Sequence, residues 1–138
     1  MPIRTEVADC IAEVILDHPP VNAFNAAVWN EIPEIITTLG KRQDVKVILI
    51  RAEGKGFCAG VDIKELADNS AAIVDVNKGN FETFKAIHHC EIPVICAPHG
   101  FVIGGGIGMC GAADIVIAVE DATFSFSEVR IGVIPAVI

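Results

Sequence analysis

Apolar positions along the chain change their period several times, and each change marks an element. Residues 10–17, CIAEVILD, form a short β-branched run closed by His18-Pro19-Pro20, which predicts a strand. Asn25 then has the character of an N-cap. Val28, Trp29, Ile32, Ile35, Ile36 and Leu39 follow at helical spacing, with Gly40 as the stop and Pro33 expected to bend the first turns. Residues 45–50, VKVILI, are a near-continuous apolar strand of the kind covered on both faces. A glycine-rich turn occupies residues 54–60, and residues 62–66 (DIKEL) read as a helical start. Residues 71–90 form the longest helix expected, with Ile73, Val76, Phe81, Phe84 and Ile87 as its buried stripe. PVICA, from Pro93, predicts a third strand that ends at Pro98-His99-Gly100. Residues 114–119 predict a fourth strand and residues 122–126 a fifth. Strands and helices alternate, with a glycine-rich turn at the exit of two strands, so the fold class is α/β and the strand-exit loops are the expected place for a ligand. No tandem repeat or low-complexity tract is visible.

Composition narrows the function classes. The chain is 52% hydrophobic with a mean hydropathy of +0.54, above the ~45–50% apolar content of ordinary domains. That surplus, together with the apolar ending GVIPAVI, leads us to expect one domain over residues 1–138 that is the front part of a longer protein, or one with a large partner interface. The net charge is −8 and the ten basic residues are scattered, so nucleic-acid binding has no electrostatic footing. Apolar runs stop well short of the ~18 residues of a membrane span. The start, MPIRTEVADC, has no apolar leader core. Five cysteines, an odd number without a C-x-x-C pair, point to reduced thiols and a cytoplasmic location.

The most unusual stretch is FVIGGGIGMCGAAD, residues 101–114, where five glycines sit in an apolar setting. Gly106-x-Gly108-x-x-Gly111 fits a dinucleotide fingerprint on paper. However, only seven residues separate Gly106 from the strand expected at Asp114, too few for a crossover that needs about 10–12. Glu120 also comes too early for the ribose-binding acid. Gly54-Lys55 is followed by Gly56, which excludes a P-loop. His88, His89, Cys90, Cys96 and His99 lie close in sequence but match no zinc spacing, and Cys96 is expected in the core, so no metal is implied. Two glycine turns remain, each opening a short helix. Helix N-termini expose backbone N–H groups and partial positive charge. Brought together, two such N–H groups would form an oxyanion hole for a carbonyl oxygen; otherwise the turns simply close strand–helix corners.

At this point the residues resemble a known family. GFCAGVDIKEL (residues 56–66) and HGFVIGGGIGMCGAADIVIA (residues 99–118) are similar to the enoyl-CoA hydratase/isomerase family, the crotonase superfamily. PPVNAFN, IPVICA and ATFSFSEVRIGVIP also fall in the family's order and spacing, so the resemblance covers essentially the whole chain. The family's chains are much longer, which fits a C-terminal portion being absent here. The resemblance implies a spiral of ββα turns, acyl-CoA thioester substrates, a homotrimer or hexamer when full length, and no cofactor beyond the CoA of the substrate.

By position, the resemblance makes the N–H groups of Val61 and Gly105 the oxyanion hole. Ala59, Val61, Asp62, Ile63 and Lys64 would line the pocket for the CoA arm, with Lys64 either near a phosphate or simply an exposed helix lysine. Hydratases of the family carry two glutamates, at the positions of Gly108 and Glu128. Only Glu128 is present, so one acid is expected to move protons. A carboxylate flanked by Phe124, Phe126, Val129 and Ile131 would have its pKa raised by desolvation, which suits that task. Gly108 is expected to widen the pocket beside the reacting carbons. With one acid, isomerisation or C–C hydrolysis is favoured over simple hydration. The alternative is a non-catalytic CoA-binding or assembly member of the same fold.

Overall fold

The computed structural model describes residues 1–69, 71–127 and 129. The chain opens with a hairpin of β1 (Ile3–Ala8) and β2 (Ile11–Leu16), antiparallel with Ala8 opposite Ile11. Asp9 and Cys10 make the two-residue turn with φ of 49° and 66°, the left-handed pair that matches strand twist. Cys10 is therefore in the turn rather than the strand, and β1 is an addition to the sequence reading. Only Ile3 of β1 is buried, so the strand carries little apolar alternation to reveal it.

Three similar turns of chain follow. β2 leads to β3 (Ala23–Phe24) and α1 (Ala26–Gly40). β4 (Val47–Ala52) leads to β5 (Gly60–Val61), α2 (Ile63–Asp68) and α3 (Ala72–His88). β6 (Val94–Cys96) leads to β7 (Phe101–Ile103) and α4 (Gly105–Ala112), and β8 (Ile115–Val116) and β9 (Thr123–Ser125) begin another turn. The first strand of each turn joins one sheet in the order β1-β2-β4-β6-β8, parallel from β2 onward. The second strands pair separately as β3-β5 and β7-β9, also parallel. The result is a spiral of ββα turns, a repeat of architecture that leaves no repeat in the sequence because loop and helix lengths differ from turn to turn.

The core lies between the five-stranded sheet and helices α1 and α3, around Phe24, Trp29, Ile32, Ile36, Ile48 and Ile50. Asn25 caps α1 as expected, its side chain accepting from the Val28 N–H at 3.0 Å. The second face of β4 departs from expectation. Ile48, Ile50 and Ala52 are buried, but Val47, Leu49 and Arg51 are half-buried, and Arg51 reaches Glu13 at 2.6 Å. The run Val47 to Ile50 is apolar, yet only one face of the strand is sealed.

α1 continues through Pro33. Proline has no N–H to give the carbonyl four residues back, that of Trp29. The hydroxyl of buried Thr83 donates to that carbonyl instead, at 3.1 Å. This contact also explains why the buried stripe of α3 differs from the one expected. α3 turns Ala72, Val76, Gly79, Asn80, Thr83 and Ile87 inward, while Ile73 and Phe81 are exposed and Phe84 is half-buried. Small and polar residues face α1 because the helices approach closely and a backbone acceptor there needs a donor. Much of the apolar surplus surfaces at the β8–β9 end, where Ile115, Ile117, Phe124 and Phe126 are exposed.

Candidate oxyanion site between two glycine turns

The two glycine turns, separate in sequence, are hydrogen-bonded to each other. Phe57 N–H donates to the Phe101 carbonyl at 3.0 Å, and Ile103 N–H donates to the Cys58 carbonyl at 2.8 Å. Cys58 also forms a parallel bridge with Val102, which joins the strand ends of the two turns. Gly60 has φ of +84°, a region that side chains rarely adopt. A Cβ built on Gly60 would lie 3.3 Å from the Ile103 carbonyl oxygen and 3.8 Å from the Gly105 nitrogen. The peptide leading into Val61 thus runs beside the N-terminus of α4.

The local backbone leaves donors at both places. Ala59 and Asp62 N–H groups donate to the Asn22 and Phe24 carbonyls at 3.1 and 2.9 Å. β3 and β5 pair in parallel, Ala23 with Gly60 and Phe24 with Val61, and because the Asp62 N–H takes the Phe24 carbonyl, the Val61 N–H faces away from β3. In α4 the N–H groups of Ile107 and Gly108 both turn back to the Gly104 carbonyl, at 2.8 and 3.3 Å. The carbonyl four residues before Gly105 belongs to Phe101, which already accepts from Phe57 and Cys58. First-turn N–H groups have no partner within their own helix, and the positive end of the helix lies at the same point.

Behind Gly105 the space is filled. A Cβ there would come within 2.5 Å of Asn80 Oδ1 and 2.6 Å of Trp29 Cη2. Gly108 is buried as well, and a Cβ on it would collide with the ring of Phe84. This corrects the expectation that Gly108 widens the pocket: the room left by the missing side chain is occupied by Phe84.

A cleft of about 440 Å³ opens beside the first turn. Ala59, Val61, Asp62, Ile63 and Lys64 line one side, residues 18–21 and Ala23 another, and Ile103 and Ser127 complete it. Five expected binding positions therefore share one wall. Asp62 is the N-cap of α2, its side chain accepting from Lys64 N–H at 2.9 Å. Gly105 adjoins this wall through Gly60. Glu128 and Ile131, part of the acid's expected surroundings, lie outside the described residues; Ser127, immediately before Glu128, is on the cleft wall.

Cys58 lies between the turns and is fully buried, and burial pushes its thiol up to about 12. Cys96 is raised too, by a hydrogen bond with Cys110 and by burial. Both are protonated near neutrality, which rules them out as nucleophiles. Among the described residues, no group of three His, Cys, Asp or Glu side chains is arranged to hold a metal ion. No helix among them is long and apolar enough to cross a membrane.

Two residues that matter here were not singled out from the sequence. Glu65 Oε2 accepts from the Ala26 N–H at 2.9 Å, tying α2 to the start of α1. Asn22 joins the proline turn to the first glycine turn. Its position after Pro-Pro-Val is a turn signal, but its partners on the glycine turn lie more than thirty residues away and have no sequence signature.

The chain is an α/β protein built as a parallel ββα spiral, with two glycine turns meeting at a helix N-terminus. The family model for enoyl-CoA hydratase/isomerase matches residues 6–138, and the chain belongs to that family. It is 42% identical over 139 residues to a (7aS)-7a-methyl-1,5-dioxo-2,3,5,6,7,7a-hexahydro-1H-indene-carboxyl-CoA hydrolase of Mycobacterium tuberculosis, covering 99% of this chain and 56% of that protein. It is 32% identical over 126 residues to a carnitinyl-CoA dehydratase of Proteus mirabilis, covering 91% and 48%. An enoyl-CoA hydratase/isomerase from Marinobacter aquaeolei superimposes with a TM-score of 0.91 at 26% identity, over 99% of this chain and 56% of that one. The chain spans about half the length of the curated relatives it matches.

Proposed function

We propose that this chain supplies the carbonyl-binding part of an acyl-CoA-processing enzyme, with the N–H groups of Val61 and Gly105 receiving the thioester oxygen and Glu128 moving protons. The meeting of the two glycine turns carries this reading, since it places Gly60 beside the Gly105 nitrogen. Backbone donors already in place cost no reorganisation as charge develops on the oxygen, and removing one such donor commonly lowers turnover by about 10²–10³-fold. The CoA arm lies along Ala59, Ile63 and Lys64 in the cleft. CoA enters as part of the substrate, and the reaction uses no other cofactor.

C–C hydrolysis is the favoured reaction. Glu128, as base, activates water for attack on a ketone carbon β to the thioester. The bond between that carbon and the α-carbon then breaks, and the electron pair becomes a thioester enolate held by the two N–H groups. Glu128 returns the proton to the α-carbon, so one water is consumed and one carboxylic acid forms, which ionises by releasing its proton to solvent. The packing of Phe84 against Gly108 supports a single acid, because a second carboxylate at 108 would have to displace the ring. The activity of the Mycobacterium relative, a hydrolase of a cyclic dioxo acyl-CoA, points the same way. In the whole protein the site is part of a trimer or hexamer.

The test uses the full-length protein with a cyclic β-keto acyl-CoA, crotonyl-CoA and a 3-enoyl-CoA, with Glu128→Gln beside wild type. We expect ring opening to dominate and to be lost in the variant, with CoA-ester binding retained. Unchanged turnover in Glu128→Gln would overturn the assigned role. Binding without turnover of any of the three would favour a CoA-binding member without catalysis.

A further inference from the structure

We propose that Asn22 is a positioning residue, one that holds the Val61 N–H in register with that of Gly105. This rests on the carbonyl-binding reading above and concerns how the donor is kept in place.

Asn22 is 3% exposed and has a φ of +53°. Every polar group it carries is engaged. Its side-chain oxygen accepts from the His18 N–H at 2.6 Å, and its own N–H donates to the His18 carbonyl at 2.8 Å. Its Nδ2 donates to the Glu53 carbonyl at 2.9 Å and the Gly56 carbonyl at 3.0 Å. Its carbonyl accepts from Ala59 N–H at 3.1 Å. One residue thus grips the glycine turn at its start, middle and end, from a segment whose other end lines the cleft.

The consequence for Val61 follows from the pairing of β3 with β5. The residue two before it is bonded to Asn22, and the residue after it is bonded to Phe24, two positions further along the chain. The Val61 peptide is therefore suspended between bonds to the main chain of Asn22 and of Phe24, and the Asn22 side chain fixes the turn that leads into it through the Glu53 and Gly56 carbonyls. Another side-chain tie on this turn, His99 Nε2–H to the Gly54 carbonyl at 2.9 Å, is exposed and at the far end.

The chemistry of asparagine is specific to this place. The site requires an acceptor and two donors on one planar group, together with a left-handed backbone that Asn tolerates better than most residues. Aspartate keeps the acceptor and the shape but sets an oxygen against two carbonyls. Glycine keeps the backbone and loses the grip.

The experiment measures carbonyl polarisation directly. Cinnamoyl-CoA bound to the full-length protein should show a red-shifted absorbance, because N–H donors pull electron density toward the thioester oxygen. In N22D and N22G we expect the shift to shrink sharply and turnover to fall on the order of 10²-fold, as for a misplaced catalytic group. Binding of cinnamoyl-CoA should stay near that of wild type. A folded variant with an undiminished red shift would overturn the proposal. So would failure of both variants to fold, judged by circular dichroism, since Asn22 would then be needed for the fold itself. A wild-type protein that binds cinnamoyl-CoA without any shift would instead overturn the carbonyl-binding reading beneath it.

Discussion

The ring of Phe84 stands where a side chain at residue 108 would begin. Trp29 meets the same ring edge-on, with centroids 6.4 Å apart, and itself fills the space behind Gly105. The two aromatic rings form a floor under the glycine face of α4. That floor keeps the helix N-terminus against the first glycine turn.

Replacing Gly108 by alanine should therefore destabilise the fold by about 1–3 kcal/mol, the usual cost of overpacking. Phe84→Ala should relieve part of that cost, so the double variant should be more stable than the sum of the singles predicts, by about 0.5–3 kcal/mol for residues in contact. Urea unfolding of the four proteins measures this. Strict additivity would mean that the ring and residue 108 do not compete for space.

The Thr83 hydroxyl replaces the N–H that Pro33 lacks. Thr83→Val should cost about 1–3 kcal/mol by leaving the buried Trp29 carbonyl without a donor. In a Pro33→Ala background, residue 33 can donate to that carbonyl, and the cost of Thr83→Val should shrink. Denaturant midpoints of the two pairs decide it.

Gly60→Ala would place a side chain in a left-handed conformation, at about 1–2 kcal/mol, and press it toward the Ile103 carbonyl. Activity should suffer more than stability, with turnover down on the order of 10²-fold as the donor shifts. Thermal melting and turnover compared in one preparation test this. Turnover that only tracked melting would argue against the donor role.

Thiol chemistry should divide the cysteines by burial. Exposed Cys10 should react promptly with a disulfide reagent at pH 8, whereas Cys58 should react only on unfolding. The folded thiol of Cys58 titrates above its unfolded value of 9.0. Its contribution to stability is therefore complete below about pH 9 and is lost as pH rises toward about 12. Peptide mapping after labelling, with and without urea, distinguishes the two sites.

Much of this protein follows from local pattern alone. The runs at residues 10–17 and 45–50, the Asn25 cap and the two glycine turns are legible because period, capping chemistry and glycine clustering act over a few neighbouring residues. The family is legible for the same reason, since GFCAGVDIKEL and IGGGIGMCGAAD each lie in one short stretch. Contacts over long separations are not written in that way. Only the tertiary structure decides that Phe84 fills the room at Gly108, that Thr83 serves the carbonyl orphaned by Pro33, and that Asn22 grips a turn more than thirty residues away. Each joins segments whose approach depends on how the spiral closes, and a glycine or an asparagine has the same sequence signature whether the space beside it is open or full.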